Sequence, residues 1–100
     1  MKIVKSAEAA ADIVEAAKFI AEDNLNAALQ FAEAVDESLN VLASFPTIGA
    51  IREFGDLGEF RMWIVKGFPN YLLFYKTTAT EITLVRLIHS ARDFNRIFED

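Results

Sequence analysis

One histidine and four arginines in the C-terminal half are the side chains best suited to chemistry or ligand binding. His89 is the only histidine, and it stands at the end of a strand-like segment. An imidazole can act as a general base near neutral pH. A single histidine at a strand end more often forms structural hydrogen bonds, so we favour the structural role. The arginines are Arg61, Arg86, Arg92 and Arg96.

The arginines have two interpretations. Guanidinium groups bind phosphates or carboxylates through planar, multidentate hydrogen bonds, so a group of them is suited to a charged target. The same side chains can instead form ordinary salt bridges with Asp93, Glu81 and the acidic N-terminal half. For Arg92, whose sequence neighbour is Asp93, the salt bridge is favoured. For Arg61, a place on the target surface and a salt bridge to the helices both remain open.

Several kinds of site are missing from the sequence. The chain has no cysteine, which excludes a disulfide framework, a thiolate zinc site and a cysteine nucleophile. A zinc site on His89 would need carboxylates for its other ligands, but the acidic residues are spaced as solvated helix faces. The glycines lack the spacing of a phosphate-binding loop. We therefore expect no catalytic residue, no metal and no cofactor.

The composition is that of a single folded domain covering residues 1–100. Hydrophobic residues make up 53% and aromatic residues 12%, which excludes a disordered chain. No apolar run approaches the roughly 18 residues needed to span a bilayer. The first residues lack the features of a signal peptide. We expect a cytoplasmic protein without a membrane partner.

The charge is distributed unevenly. The net charge is -5 and the pI about 4.8, which argues against non-specific nucleic-acid binding. Residues 61–96 nevertheless carry six cationic against two acidic side chains. The sequence thus predicts a basic edge on an acidic protein, without direct sequence-specific binding of nucleic acid by this chain alone.

Helical periodicity dominates the first half. Ser6 is a suitable N-cap, and apolar residues repeat at helical spacing across 7–22. Asn24 can end this helix and cap a second one across 25–43. The pair Phe45-Pro46 ends the second helix, because a residue before proline disfavours the helical conformation. An antiparallel helical hairpin is expected.

Strand periodicity replaces helical periodicity after a loop at 47–58. Segments 60–66, 70–76 and 81–89 are rich in aromatic and β-branched residues and are separated by short breaks. With a short strand at 2–5, the predicted order is β-α-α-β-β-β, ending in a turn or short helix at 91–98. The fold class is therefore α+β, with the helical hairpin on one face of an antiparallel four-stranded sheet.

The second face of this sheet needs a cover. Residues 61–65 and 82–85 place apolar side chains on both faces, whereas two helices cover only one. A large exposed apolar patch is rare in a free monomer. We expect the face lined by Trp63 to meet the C-terminal tail, a second copy of the chain or a different partner.

Two long stretches resemble the RelE/ParE toxin superfamily, the toxic halves of bacterial type II toxin–antitoxin pairs. Residues 20–49, IAEDNLNAALQFAEAVDESLNVLASFPTIG, followed by Arg52, resemble its helical hairpin and P-x-x-G…R signature. Residues 60–94 resemble its three-strand half through YLLFY and RLIHSARD. The latter is similar to the ending R-V-L-H-G-A-R-D of the ParE branch, with Ser90 in place of glycine.

The resemblance implies a toxin neutralised by a cognate antitoxin, whose C-terminal segment wraps over an apolar groove. Trp63 and Val65 are the residues expected to contact the antitoxin. The toxin is then expected in a toxin–antitoxin hetero-oligomer, or as a homo-oligomer when antitoxin is absent.

The superfamily includes two biochemical classes. RelE-like members cleave mRNA on the ribosome with basic residues and an aromatic hydroxyl. Arg61 and Arg92 match two of those places, but Trp63, Leu72 and Phe98 replace the other functional groups. ParE-like members inhibit DNA gyrase and are not nucleases, which fits better. An inactive binding module that keeps the fold is a third interpretation.

The ParE-like interpretation makes the toxin a binding surface without catalytic residues. Its expected gyrase-binding side chains are those of the basic C-terminal edge, with Arg61 as a further candidate. The residues of that edge are Arg86, His89, Arg92 and Arg96.

Overall fold

The computed structural model describes residues 1–93 and contains the two predicted helices. α1 spans Ala7–Asp23 and α2 spans Leu25–Ser44, so both predictions are confirmed to within one residue. The hydroxyl of Ser6 accepts a hydrogen bond from the backbone N–H of Ala9 at 3.0 Å, and the side chain of Asn24 accepts one from Ala27 at 3.0 Å. These caps satisfy amide donors that have no partner within the first turn of a helix.

Within residues 1–93, five strands form one sheet, in the spatial order β1-β5-β4-β3-β2. β1 pairs with β5 in parallel, and the other neighbours are antiparallel. A 3-10 turn at Gly55–Leu57 connects β2 to β3. The strands are β1 Lys2–Lys5, β2 Ala50–Glu53, β3 Glu59–Ile64, β4 Tyr71–Thr77 and β5 Glu81–His89.

The predicted antiparallel four-stranded sheet is therefore wrong in two respects. β2 lies within the segment that was expected to be a loop, and all four of its residues are exposed. Such a strand has no buried side to impose an alternating pattern on its sequence. The parallel β1–β5 pair joins strands that are far apart in the sequence, with Lys2 opposite Glu81. The local pattern of residues does not indicate whether two such distant strands pair in parallel or antiparallel.

The helices pack on one face of the sheet around the ring of Phe31. Its centroid lies 4.9 Å from that of Tyr71 and 5.1 Å from that of Phe68. Trp63 is also on this side, because it stands opposite Leu73, a buried residue of the same core. Trp63 therefore does not line the second face of the sheet, contrary to the sequence-based expectation.

The second face is apolar but largely buried. Phe60, Leu72, Phe74 and Ile88 are each at most 8% exposed, and the ring of Phe54 packs against Phe60 and Phe74. The sequence predicts a cover for this face, and Phe54 supplies part of that cover. The C-terminal tail, one of the predicted covers, lies beyond the described residues from 94 onward. Ile64 of β3, which stands opposite Leu72 of this face, is 50% exposed.

Within residues 1–93, neither α1 nor α2 combines the length and the hydrophobicity that a membrane-spanning helix needs.

Candidate functional site

Arg86 of the predicted basic edge connects the sheet to α1 through an ion pair. Its Nε and Nη2 atoms donate to the two carboxylate oxygens of Asp12 at 2.7 and 3.0 Å. The Leu87 amide donates to the same carboxylate at 3.1 Å. The hydrogen bonds that Arg86 donates to Asp12 raise the pKa of Arg86. Only 27% of the Arg86 side chain and 15% of the Asp12 side chain are exposed, so Arg86 offers little free charge to a target.

His89 organises the turn that follows β5. Its backbone amide donates to a carboxylate oxygen of Asp93 at 3.1 Å, and its Nδ1 atom accepts a hydrogen bond from the amide of Ala91 at 3.3 Å. The imidazole ring meets Tyr71 edge to face, with centroids 5.1 Å apart. These contacts support the structural role that the sequence favoured.

Arg92 keeps a substantial exposed surface. Its Nε atom donates to Asp93 at 3.1 Å, and its guanidinium carbon lies 4.9 Å from the ring centroid of Phe19 on α1. The hydrogen bond with Asp93 raises the pKa of Arg92. The side chain is 40% exposed, so Arg92 remains able to contact an external anion. Arg96, the last member of the predicted edge, lies outside the described residues.

Arg61 belongs to a different part of the molecule. It lies on β3, across β4 from β5, and its Nη1 atom donates to the carbonyls of Thr47 and Gly49 at 3.0 and 2.9 Å. Neither of the two roles left open by the sequence, a target contact or a salt bridge to the helices, describes these bonds. Arg61 holds the loop between α2 and β2.

Tyr75 holds the same loop from β4. Its phenol donates to the carbonyl of Pro46 at 2.8 Å and accepts a hydrogen bond from the amide of Gly49 at 3.0 Å. Burial raises the pKa of this phenol. A Cβ atom on Gly49 would lie 2.5 Å from the phenol oxygen, so this close approach requires glycine. No local sequence pattern reveals this contact, because 26 residues separate Gly49 from Tyr75.

An apolar groove lies beside this loop, at the β2–β3 end of the sheet. Its volume is about 320 Å³. Ile48 is 47% exposed and Ile64 is 50% exposed. A docking surface is marked by exposed apolar side chains that lie side by side, not by single ones. The groove is lined by Ile48, Ala50, Met62, Trp63 and Ile64.

The structure brings only one of the two predicted antitoxin-binding residues to this groove. Trp63 is half-buried and lines it, whereas Val65 is completely buried in the helix-side core. Met62 and Ile64 were missed because successive residues of a strand point to opposite faces. The alternation was visible in the sequence, but the side that the helices would cover was not.

Among residues 1–93, no group of three or more histidine, cysteine, aspartate or glutamate side chains is placed to hold a metal ion.

The family comparison covers almost the whole chain. A family model described as "ParE toxin of type II toxin-antitoxin system, parDE" matches residues 3–94. The chain belongs to the ParE toxin family. The helical hairpin, the groove and all of the described sheet except Lys2 lie within the matched residues.

A solved structure has the same fold. It is described as the "Chromosomal ParDE TA system from P. aeruginosa", and its identity to this ParE toxin is 19%. The similarity covers 89% of the present chain and 95% of the other, with a TM-score of 0.71. No protein with a curated description matches the sequence.

Proposed function

We propose that this ParE toxin inhibits DNA gyrase in the bacterial cytoplasm and is neutralised by a cognate antitoxin. The observation that carries the proposal is the ParE family match across residues 3–94. The toxin supplies a binding surface and takes no chemical part. The experiment that tests it is induction of the chain in bacteria, which should stop growth, while co-induction of the antitoxin restores it.

The antitoxin is expected to occupy the groove at the β2–β3 end. β2 stands last in the strand order of the described sheet, and all its residues are exposed, so an extended segment can add beside it as a further strand. Exposed Arg52 and Lys66 lie two residues beyond groove residues Ala50 and Ile64. Their charges favour a segment with apolar side chains and acidic flanks.

Gyrase is expected to contact the end of β5 and the turn after it. Arg92 is the exposed cation there, next to His89, and Arg96 follows in the sequence. A gyrase–DNA assembly presents dense negative charge, to which guanidinium groups make planar contacts. Arg86 contributes mainly by keeping β5 against α1, and Arg61 by holding the loop before β2.

Replacing Arg92 and Arg96 together by alanine should abolish growth arrest and leave antitoxin binding intact. Each lost charged contact costs about 1.5–3 kcal/mol, so target affinity should fall about a hundredfold or more. Growth curves after induction and a pull-down with the antitoxin measure the two effects.

Arg52→Ala is the matched control, because it removes an exposed arginine at the other side of the sheet. It should leave growth arrest unchanged. Full toxicity of the soluble double variant would remove this edge from the mechanism.

Two alternatives predict different outcomes. A RelE-like ribonuclease would cleave mRNA on purified ribosomes, although the guanidinium of Arg61 is engaged by loop carbonyls and Leu72 is buried. An inactive binding module would retain the antitoxin without stopping growth.

A further inference from the structure

Four hydrogen bonds hold the backbone of loop 46–49 against the sheet, and the side chains of Tyr75 and Arg61 make all four. Tyr75 bonds to the backbone of Pro46 and Gly49, and Arg61 bonds to Thr47 and Gly49. Both side chains come from the strands beneath the loop, where Arg61 stands directly opposite Tyr75. We call this pair the loop clamp.

Burial of the loop's own side chains cannot hold it in place. Ile48, its large apolar side chain, is 47% exposed, and Thr47 is also exposed. A segment with so little buried apolar surface gains little from packing and opens readily unless hydrogen bonds hold it. The fully buried Tyr75 ring gives the clamp a rigid anchor in the helix-side core.

The position of this loop determines the shape of the groove. Ile48 of the loop and Ala50 of β2 line the groove together with Met62 and Ile64 of β3. β2 begins at Ala50, directly after the residue whose amide and carbonyl are both held. If the loop moved, the groove and the outer edge of β2 would move with it.

We infer that Tyr75 and Arg61 are positioning residues for antitoxin binding, which fix Ile48 and the start of β2 before the partner arrives. This inference rests on the proposed function, in which the antitoxin occupies the groove. A surface that is already ordered loses less conformational entropy on binding, so the clamp should raise affinity without contacting the partner. It also makes the groove selective for an extended segment that follows the edge of β2.

Tyr75→Phe tests the inference, because it removes the phenol oxygen and keeps the buried ring. Hydrogen exchange at the Gly49 amide should become faster, since that amide loses its acceptor. Acrylamide should quench the single tryptophan, Trp63, more readily, because Trp63 lines the groove. The dissociation constant for the protein encoded by the neighbouring antitoxin reading frame should rise about tenfold.

Tyr71→Phe is the matched control. It removes the hydroxyl of the other buried tyrosine of β4, which is placed at the opposite end of the strand beside His89. It should change neither Gly49 exchange, nor Trp63 quenching, nor antitoxin affinity. Arg61→Met is a second test variant that removes the remaining two loop bonds and should act in the same direction as Tyr75→Phe.

The outcomes separate the inference from the proposed function. Failure of the wild-type chain to bind the antitoxin would contradict the proposed function. Tight wild-type binding that Tyr75→Phe and Arg61→Met both retain would overturn the inference alone. A loss of affinity without faster exchange at Gly49 would also overturn it, because the loop would then not be the cause.

Discussion

Asp12→Ala is expected to lower the free energy of unfolding by about 2–3 kcal/mol. The carboxylate accepts three hydrogen bonds, two from Arg86 and one from the Leu87 amide. Its removal leaves a largely buried guanidinium without a partner, which is the costly way to break an ion pair. Because 27% of the Arg86 side chain is exposed to solvent, the expected loss of unfolding free energy is smaller than for a fully buried pair. Urea unfolding followed by circular dichroism measures it.

Asp36→Ala provides the control for this prediction. Asp36 pairs with Lys5 at 3.7 Å, but 70% of the Asp36 side chain and 41% of the Lys5 side chain are exposed. Solvent screens such a pair, so the change should be within about 0.5 kcal/mol. Equal losses of unfolding free energy in the two variants would show that the Asp12–Arg86 pair contributes no more to stability than an exposed ion pair.

Ile64→Asp is expected to weaken antitoxin binding about a hundredfold. Ile64 is 50% exposed and lines the groove, so the substitution places a carboxylate where the partner would bury an apolar side chain. An unpaired charge in such a contact costs several kcal/mol, and about 2.7 kcal/mol corresponds to a factor of one hundred. Isothermal titration calorimetry with the purified antitoxin measures the affinity.

Val14→Asp is the matched control. Val14 is 53% exposed on α1 and does not line the groove, so this variant adds the same charge at a similarly exposed aliphatic position. Its affinity should equal that of the wild type. If Ile64→Asp bound as tightly as Val14→Asp, the antitoxin would have to occupy another surface.

Much of the fold was predictable because its elements are locally encoded. The change from helical to strand periodicity, together with caps at Ser6 and Asn24, located both helices within one residue. The three long strands were also located to within two residues. β2 was missed because an exposed four-residue edge strand has no buried side to pattern its sequence.

The site was less predictable, because its contacts join distant parts of the chain. Asp12 and Arg86 are 74 residues apart, and no local pattern distinguishes them from solvated charges. Trp63 and Val65, the predicted antitoxin contacts, differ in placement, because Trp63 lines the groove and Val65 is completely buried. Strand alternation divides the residues of β3 into two sets that point to opposite faces of the sheet. Which of these sets the helices bury depends on the side on which the helical hairpin packs. Ile64, the last residue of β3, is half exposed, whereas Val65, which follows it, is completely buried.

Arg61 illustrates the same limit at the level of function. Its charge and its match to the superfamily pattern suggested a target contact, whereas the structure directs it to loop carbonyls beside the groove. The sequence thus shows that a residue is basic, but its role depends on the groups that its side chain contacts in the fold.

A gyrase supercoiling assay with purified components tests the central proposal most directly. The purified toxin should inhibit ATP-dependent supercoiling by gyrase, and an equimolar amount of antitoxin should restore it. Purified ribosomes carrying mRNA, treated with the same preparation, should show no cleavage. Unimpaired supercoiling at a toxin concentration well above that of gyrase, together with ribosome-dependent mRNA cleavage, would contradict the account.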